Sequence, residues 1–309
     1  MSKTLVVVPS IRPSCHEEFV KKWTPLFEKH NVYFVTVWDG DEPRIQFQDV
    51  HVGKIKDLLT EDEQELIYNR TDSVRNAGFL WAAKNRIQFD NVITLDDDVY
   101  PLPDTDPIAD LIEPLGKWDS ISWFNTLLGG EEKVRGFPYV VRAEAQIQIS
   151  HAGWLEVPDY DGPTQLYLTP KEITEPEKYK NPQFYKGVVP KGCLCCFCGM
   201  AVAFTKKAMP EVYYAPMGSA VNLHRFGDIW MGINLKRTCD ERNWAIYYGN
   251  AMVHHSRASD VFKNLSQESE GLRLNELYWK SESDNYYFKL YEDRRLRYRA
   301  VMEKLLAKD

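Results

Sequence analysis

The 309-residue chain predicts an α/β fold: one domain over residues 1–275, with a mostly parallel sheet in its first half and a mixed second half, then C-terminal helices over 276–309. Three apolar runs carry this expectation: Leu5-Val6-Val7-Val8-Pro9, Val32-Tyr33-Phe34-Val35-Thr36-Val37-Trp38 and Asn91-Val92-Ile93-Thr94-Leu95. Each is continuous rather than alternating, as strands buried on both faces are. Each also stops in a polar loop, at Pro9-Ser10-Ile11-Arg12, Asp39-Gly40-Asp41 and Asp96-Asp97-Asp98. In an open parallel sheet ligands sit outside the carboxyl ends of the strands, so the three loops are expected to line one crevice.

The elements follow in order. A helix over 17–30 joins the first two strands into a βαβ opening, and a polar, acidic stretch runs to Glu65. A second helix, over 73–84, precedes the third strand. The middle, about 118–185, mixes aromatic, Pro and Gly residues with short β-like runs such as Ala145-Gln146-Ile147-Gln148-Ile149-Ser150, and reads as part of a mixed sheet rather than a separate domain. A Gly- and His-containing loop from Gly218 leads into a helix at Asp228-Ile229-Trp230-Met231, and a strand-like piece precedes His254-His255. Helical spacing returns over 296–306, with enough apolar surface to pack on its own domain or on a second copy in a homo-oligomer. No internal repeat or low-complexity tract occurs.

Composition narrows the function. A formal charge of −7 and a pI near 5.6 argue against a broad phosphate-tracking surface, so no nucleic-acid partner is expected and any nucleotide is met locally. No stretch reaches the roughly 20 apolar residues that span a bilayer, and Met1-Ser2-Lys3-Thr4 runs straight into a strand, which leaves the cytoplasm as the expected location. Four of six cysteines crowd into Cys193-Leu194-Cys195-Cys196-Phe197-Cys198. That is neither a spread disulfide framework nor a paired zinc spacing, and free thiols in a buried strand are the plainer reading.

Side chains two apart on a strand share a face, so Asp96 and Asp98 are expected to point together, with Asp97 turned away or into the loop. Two hard carboxylates suit Mg²⁺ or Mn²⁺ shared with phosphate oxygens and water; the alternative is a solvated acidic turn. Upstream, Arg75-Asn76-Ala77-Gly78 opens a helix whose N-terminal end faces the same crevice, making Arg75 a partner for a phosphate or for Asp96, or else an ordinary surface arginine. The chain contains no Gly-x-Gly-x-x-Gly, which disfavours a flavin or NAD route.

In order and spacing, the three strand-end loops and the Arg75-Asn76-x-Gly78 helix start resemble the nucleotide half of GT-A glycosyltransferases. Further on lie the stretch from Ile149 through Pro158-Asp159-Tyr160-Asp161 to Leu166, Pro190-Lys191-Gly192 with Cys198-Gly199-Met200, Arg225-Phe226-Gly227-Asp228-Ile229-Trp230 and His255-Ser256-Arg257-Ala258-Ser259. Together they resemble the family of reversibly glycosylated polypeptides and UDP-arabinopyranose mutases, glycosyltransferase family 75, as a microbial-type member.

That resemblance implies a GT-A-like single domain, a divalent metal (Mn²⁺ or Mg²⁺), a UDP-sugar such as UDP-arabinose, and pyranose–furanose interconversion. On the nucleotide side it points to Pro9, Arg12, Asp39 (toward the uracil edge), Arg75, Asp96 and Asp97. Asp96, Asp98 and His255 become the metal ligands, although His255 also reads as an ordinary polar histidine at a strand end. Trp154 or Trp230 is expected to stack on the sugar, while Asp159, Tyr160 and Asp161 grip its hydroxyls; Asp159 and Asp161 equally read as turn caps. Arg142, in Phe137-Pro138-Tyr139-Val140-Val141-Arg142, falls at the family's glycosylated arginine, but Ala143-Glu144 follow where the family has Glu-Gly, so it is expected to face the sugar rather than to be an obligatory nucleophile. Asp228 is expected to take a hydroxyl proton alone, since Gly227 stands where the family has a first aspartate. Transfer to an external acceptor or to the protein itself, and a non-catalytic role in a hetero-complex, are the competing functions.

Overall fold

The computed structural model describes residues 3–127, 132–157, 159–174, 182–256, 260–280 and 284–307, with backbone only for 169–174. Pro158 and Arg257-Ala258-Ser259 of the motifs above lie outside the described residues.

The opening is the expected βαβ unit: β1 (Thr4–Ser10), α1 (Pro13–His30) and β2 (Tyr33–Trp38). Pro13 fits the first turn of α1, where its missing N–H costs nothing, and the helix therefore starts four residues before the expected position. The polar, acidic stretch, to which the sequence assigns no element, holds a hairpin, β3 (Arg44–Phe47) and β4 (Val50–Lys54), and two one-turn helices, α2 (Ile55–Leu58) and α3 (Glu61–Gln64). These elements bury few side chains, so they leave little hydrophobic period to read. A 3₁₀ turn (Asp72–Arg75) then leads into α4 (Asn76–Lys84), followed by β5 (Asn91–Leu95), β6 (Val99–Pro101) and α5 (Pro107–Ile112).

The second half comprises β7 (Trp118–Asp119), β8 (Ala145–Glu156), α6 (Gly162–Thr174), β9 (Gly187–Val188), β10 (Ala201–Thr205), α7 (Gly227–Arg242), β11 (Trp244–His255), α8 (Val261–Tyr278) and α9 (Tyr286–Leu306). All the strands belong to one sheet with the order β4-β3-β2-β1-β5-β10-β8-β11-β6, plus β7 on β8 and β9 on β11. The trio β2-β1-β5 is parallel, and so is β8 with β11. β10 runs antiparallel between the two sets and joins them into one α/β domain with a mixed sheet.

Two packing details set the site. Gly78 lets α4 lie directly on the sheet, because a Cβ there would fall 2.6 Å from Val7 and 2.9 Å from Val37. At the far edge, β6 pairs with the end of β11 so that Val99 faces His255, and the Ser256 N–H donates to the Asp98 carbonyl at 2.9 Å. A histidine 157 residues downstream is thereby brought to the acidic turn.

The C-terminal helix packs on its own chain. Tyr287, Tyr291, Tyr298 and Met302 of α9 enter the main core, and the Tyr287 and Tyr291 hydroxyls donate to the carbonyls of Pro216 and Tyr213. Glu211, 3% exposed, is ion-paired with Arg242 at 2.6 Å, Arg299 at 3.0 Å and Arg295 at 3.4 Å, the last two from α9. Removing a carboxylate from a buried cluster strands its partners. Glu211→Ala should therefore cost about 3 kcal/mol in urea unfolding and speed amide exchange in α9 first; unchanged exchange there would mean that the tyrosines dock the helix unaided.

Candidate functional site

The three strand-end loops do line one cavity, of about 730 Å³, together with the loop after β8, the start of α7 and the first turns of α8. Pro9, Arg12, Asp39, Arg75, Asp96, Asp97, Asp98, Asp159, Tyr160, Asp161, Asp228 and His255 all contribute to its wall.

The acidic residues reach it by a different geometry from the one expected. β5 ends at Leu95, and 96–98 form a turn closed by Val99 N–H to the Asp96 carbonyl, so strand alternation does not orient them. Asp97 is 3% exposed and anchors the neighbouring loop, accepting the Ser10 hydroxyl at 2.5 Å and the Arg12 guanidinium. Its carboxylate is used within the protein. Asp98 also meets Arg12, at 3.1 Å, and Asp96 meets Arg75 at 2.6 Å.

Arg75 is fully buried, not a surface residue. Its Nε donates to the Asp72 carbonyl, Nη1 to Thr94 Oγ1 and the Gly199 carbonyl, and Nη2 to Asp96, while the guanidinium lies 4.5 Å from the Tyr214 ring centroid. Of its sequence readings, partner to Asp96 is the one the structure displays. Asp39 Oδ1 likewise accepts the Gly40 and Arg70 backbone N–H groups, at 2.7 and 2.6 Å, which shapes its loop.

Among the described residues no group of three His, Cys, Asp or Glu side chains is gathered to hold a metal ion. Arg75 and Arg12 hold Asp96 and Asp98 instead. The donor chemistry nonetheless suits a hard divalent ion. His255 Nδ1 lies 2.8 Å from the Val157 carbonyl, which can only accept, so Nδ1 donates there and Nε2 is the ring nitrogen left to the cavity.

On the remaining wall, Asp161 caps α6 through the Thr164 N–H at 2.7 Å while still lining the cavity. Tyr160 is braced edge-on by Trp154, with ring centroids 5.7 Å apart. Asp228 Oδ2 accepts the Gly199 N–H at 2.7 Å and Oδ1 its neighbour Ile229 at 2.9 Å. Protein packed around them pushes the Asp228 carboxyl well above the usual range and Asp72 up to about 6; the Asp72 charge further raises Asp228, and Asp96 raises both.

Three expected site residues are not in the cavity wall. Trp230 is fully buried among Phe226, Tyr278, Tyr287 and Phe288, with its Nε1 on Asn275, because the face of α7 that carries it turns into the core. Trp154 is 9% exposed and packs between Tyr160 and Phe184, supporting the wall from behind. Arg142 donates to the Phe137 carbonyl and lies over the Tyr139 ring at 3.9 Å, turned into its own loop. Of the crowded cysteines read as packing residues, Cys193 and Cys196 are exposed and Cys195 is half-buried; all six are free thiols.

Sequence reasoning missed Asp72, Arg225, Glu268 and Lys263 as wall residues. Asp72 explains Gly227: a Cβ there would fall 2.9 Å from Asp72 Oδ1, so the carboxylate of one element fills the space a side chain on the other needs. Glu268 joins two loops, accepting Arg225 Nε at 2.7 Å and the Gly162 N–H at 2.6 Å. Only the alternation of Asp72 with Arg75 near a helix start hinted at the first, and nothing local marked the α8 residues.

Residues 2–280 match the family model described as reversibly glycosylated polypeptide. The chain is 30% identical over 302 residues to UDP-arabinopyranose mutase 3 of Arabidopsis thaliana, covering 91% of this chain and 76% of that protein. It is 31% identical over 300 residues to the probable UDP-arabinopyranose mutase 4 of the same plant, covering 88% and 74%. Among solved structures it is similar to a mutant of Drosophila beta-1,4-galactosyltransferase 7 in complex with manganese, UDP-Gal and xylobiose, at 11% identity and a TM-score of 0.38 over 85% of this chain and 73% of that one.

The crowded carboxyls have a measurable sign. The folded-state pKa of Asp228 lies above its unfolded value, so its ionisation opposes folding once the pH exceeds the ordinary Asp range. Asp228→Asn keeps an oxygen for the Gly199 N–H and should raise stability on the order of 1 kcal/mol at pH 8, with a smaller gain at pH 5. Thermal unfolding at both pH values checks this; a variant less stable at pH 8 would contradict the repulsion. Trp230→Phe should lower the melting temperature by several degrees, as a core truncation does, and leave ligand affinity unchanged.

Proposed function

This chain belongs to the reversibly glycosylated polypeptide family, and on that premise we propose that it interconverts the pyranose and furanose forms of a UDP-sugar, of the UDP-arabinopyranose to UDP-arabinofuranose kind. The observation that carries the reading is the convergence in one cavity of the strand-end carboxylates Asp96 and Asp98 with Asp228, a carboxyl placed to take and return a proton.

In this reading the domain is GT-A-like and the nucleotide lies along the ends of β1, β2 and β5, with Pro9, Arg12 and Asp39 beside it. Asp96, Asp98 and His255 would hold Mn²⁺ or Mg²⁺, which supplies charge neutralisation to the departing diphosphate. Arg75 orients Asp96 from below. The anomeric carbon–oxygen bond breaks with its electron pair on UDP. Asp228 accepts the proton of the ring hydroxyl as that oxygen bonds to the anomeric carbon; UDP then returns, the old ring oxygen leaves that carbon, and Asp228 gives the proton back. Atoms and charge balance, as an isomerisation requires. Asp159, Tyr160 and Asp161 face the sugar, and Trp154 acts through Tyr160. Arg142, outside the cavity wall, has no part in these steps.

No helix among the described residues is long and apolar enough to cross a membrane, and the six unpaired thiols support a reducing compartment such as the cytoplasm.

Incubation with UDP-arabinopyranose and Mn²⁺, followed by chromatography of the nucleotide sugars, should yield the furanose. Asp98→Asn and Asp228→Asn should each reduce turnover by about 100-fold or more, the usual loss for a metal ligand or a general acid–base. Rapid transfer to an added acceptor with no furanose formed would sink the mutase reading.

A further inference from the structure

Five permanent cations stand in the cavity wall: Arg12, Arg70, Arg75, Arg225 and Lys263. Four are already engaged, Arg12 with Asp97 and Asp98, Arg70 with Asp41, Arg75 with Asp96 and Arg225 with Glu268. Among the described residues, Lys263 is the cation of the wall that meets no carboxylate within ion-pair distance. Its backbone is nonetheless fixed: the Lys263 N–H donates to the Asp260 side chain at 2.9 Å, capping α8, so the start of the side chain is held while the ammonium stays free and exposed.

A free ammonium on a fixed stem in the wall of this cavity is available to an anionic ligand. The carboxylates nearest in chain order are committed elsewhere: Asp260 to its cap and Glu268 to Arg225 and Gly162. We propose that Lys263 binds the diphosphate of the nucleotide, as a contact from the C-terminal half that adds to those at the strand ends. The proposal rests on the nucleotide reading above. It gives α8 a role in ligand binding, not only in packing. A lysine acts there as a point charge on a flexible stem, so an arginine should serve nearly as well.

The test is calorimetric binding of UDP and of uridine, each with Mn²⁺, to the intact wild type, Lys263→Ala and Lys263→Arg. Loss of one charge-assisted contact should weaken UDP about tenfold in Lys263→Ala, leave uridine unchanged, and be largely restored in Lys263→Arg. Equal UDP affinity in wild type and Lys263→Ala overturns the proposal and leaves the nucleotide site standing. An equal loss for uridine overturns it too, since the defect would then lie outside the diphosphate. A wild type that binds neither ligand removes the nucleotide reading itself.

Discussion

The buried guanidinium of Arg75 is the constraint on which the site depends. Its charge is removed from solvent, and a lone cation in that position would be prohibitively costly, so the structure surrounds it with acceptors from four directions: the 3₁₀ turn, β5, the strand-leading loop at Gly199 and the acidic turn. Each acceptor comes from a different part of the chain. Satisfying one side chain thereby fixes where the helix start, the central strand and the turn 96–98 stand relative to one another. The Gly199 peptide extends the same tie, its carbonyl on Arg75 and its N–H on Asp228, so the two cavity-wall carboxylates Asp96 and Asp228 are positioned through a single arginine and a single peptide.

The second constraint is the edge pairing of β6 with β11. It does for the far wall what Arg75 does for the floor, setting His255 opposite Val99 and Asp98 beside Ser256. Because β8 runs parallel to β11 and ends at Glu156 opposite His255, the loop that carries 159–161 leaves the sheet at the same place. The acidic turn is thus met from both halves of the chain without any of these residues being close in sequence.

Much of the framework was legible because buried parallel strands leave continuous apolar runs, and the three that were read stand side by side as β2-β1-β5. The shared crevice followed from their polar ends. The hairpin at β3 and β4 was not legible, since half-exposed residues such as Val50 and His51 carry no clear period. Site membership split along a physical line. Charged residues at strand ends were found in the wall, as the cost of burying an unpaired charge would lead one to expect. The aromatic and arginine assignments drawn from family motifs fared worse: Trp230 and Trp154 serve packing, and Arg142 lies in its own loop, because an aromatic residue near a site is equally suited to the layer behind it. Lys263 and Glu268 were invisible to local reading, since their importance arises only when α8 is laid against the cavity.

The clamp on Glu211 has a bearing on how the chain comes to be folded. Arg295 and Arg299, which close it, lie 84 and 88 residues after Glu211 in the chain, and α9 also completes the packing around Tyr213 and Pro216, just ahead of the loop that leads to Asp228. Until that helix arrives, Glu211 is an acid in an unfinished core with only Arg242 to answer it. The βαβ opening is built from contacts close along the chain, whereas the wall at Asp228 depends on the docking of α9 from far along it.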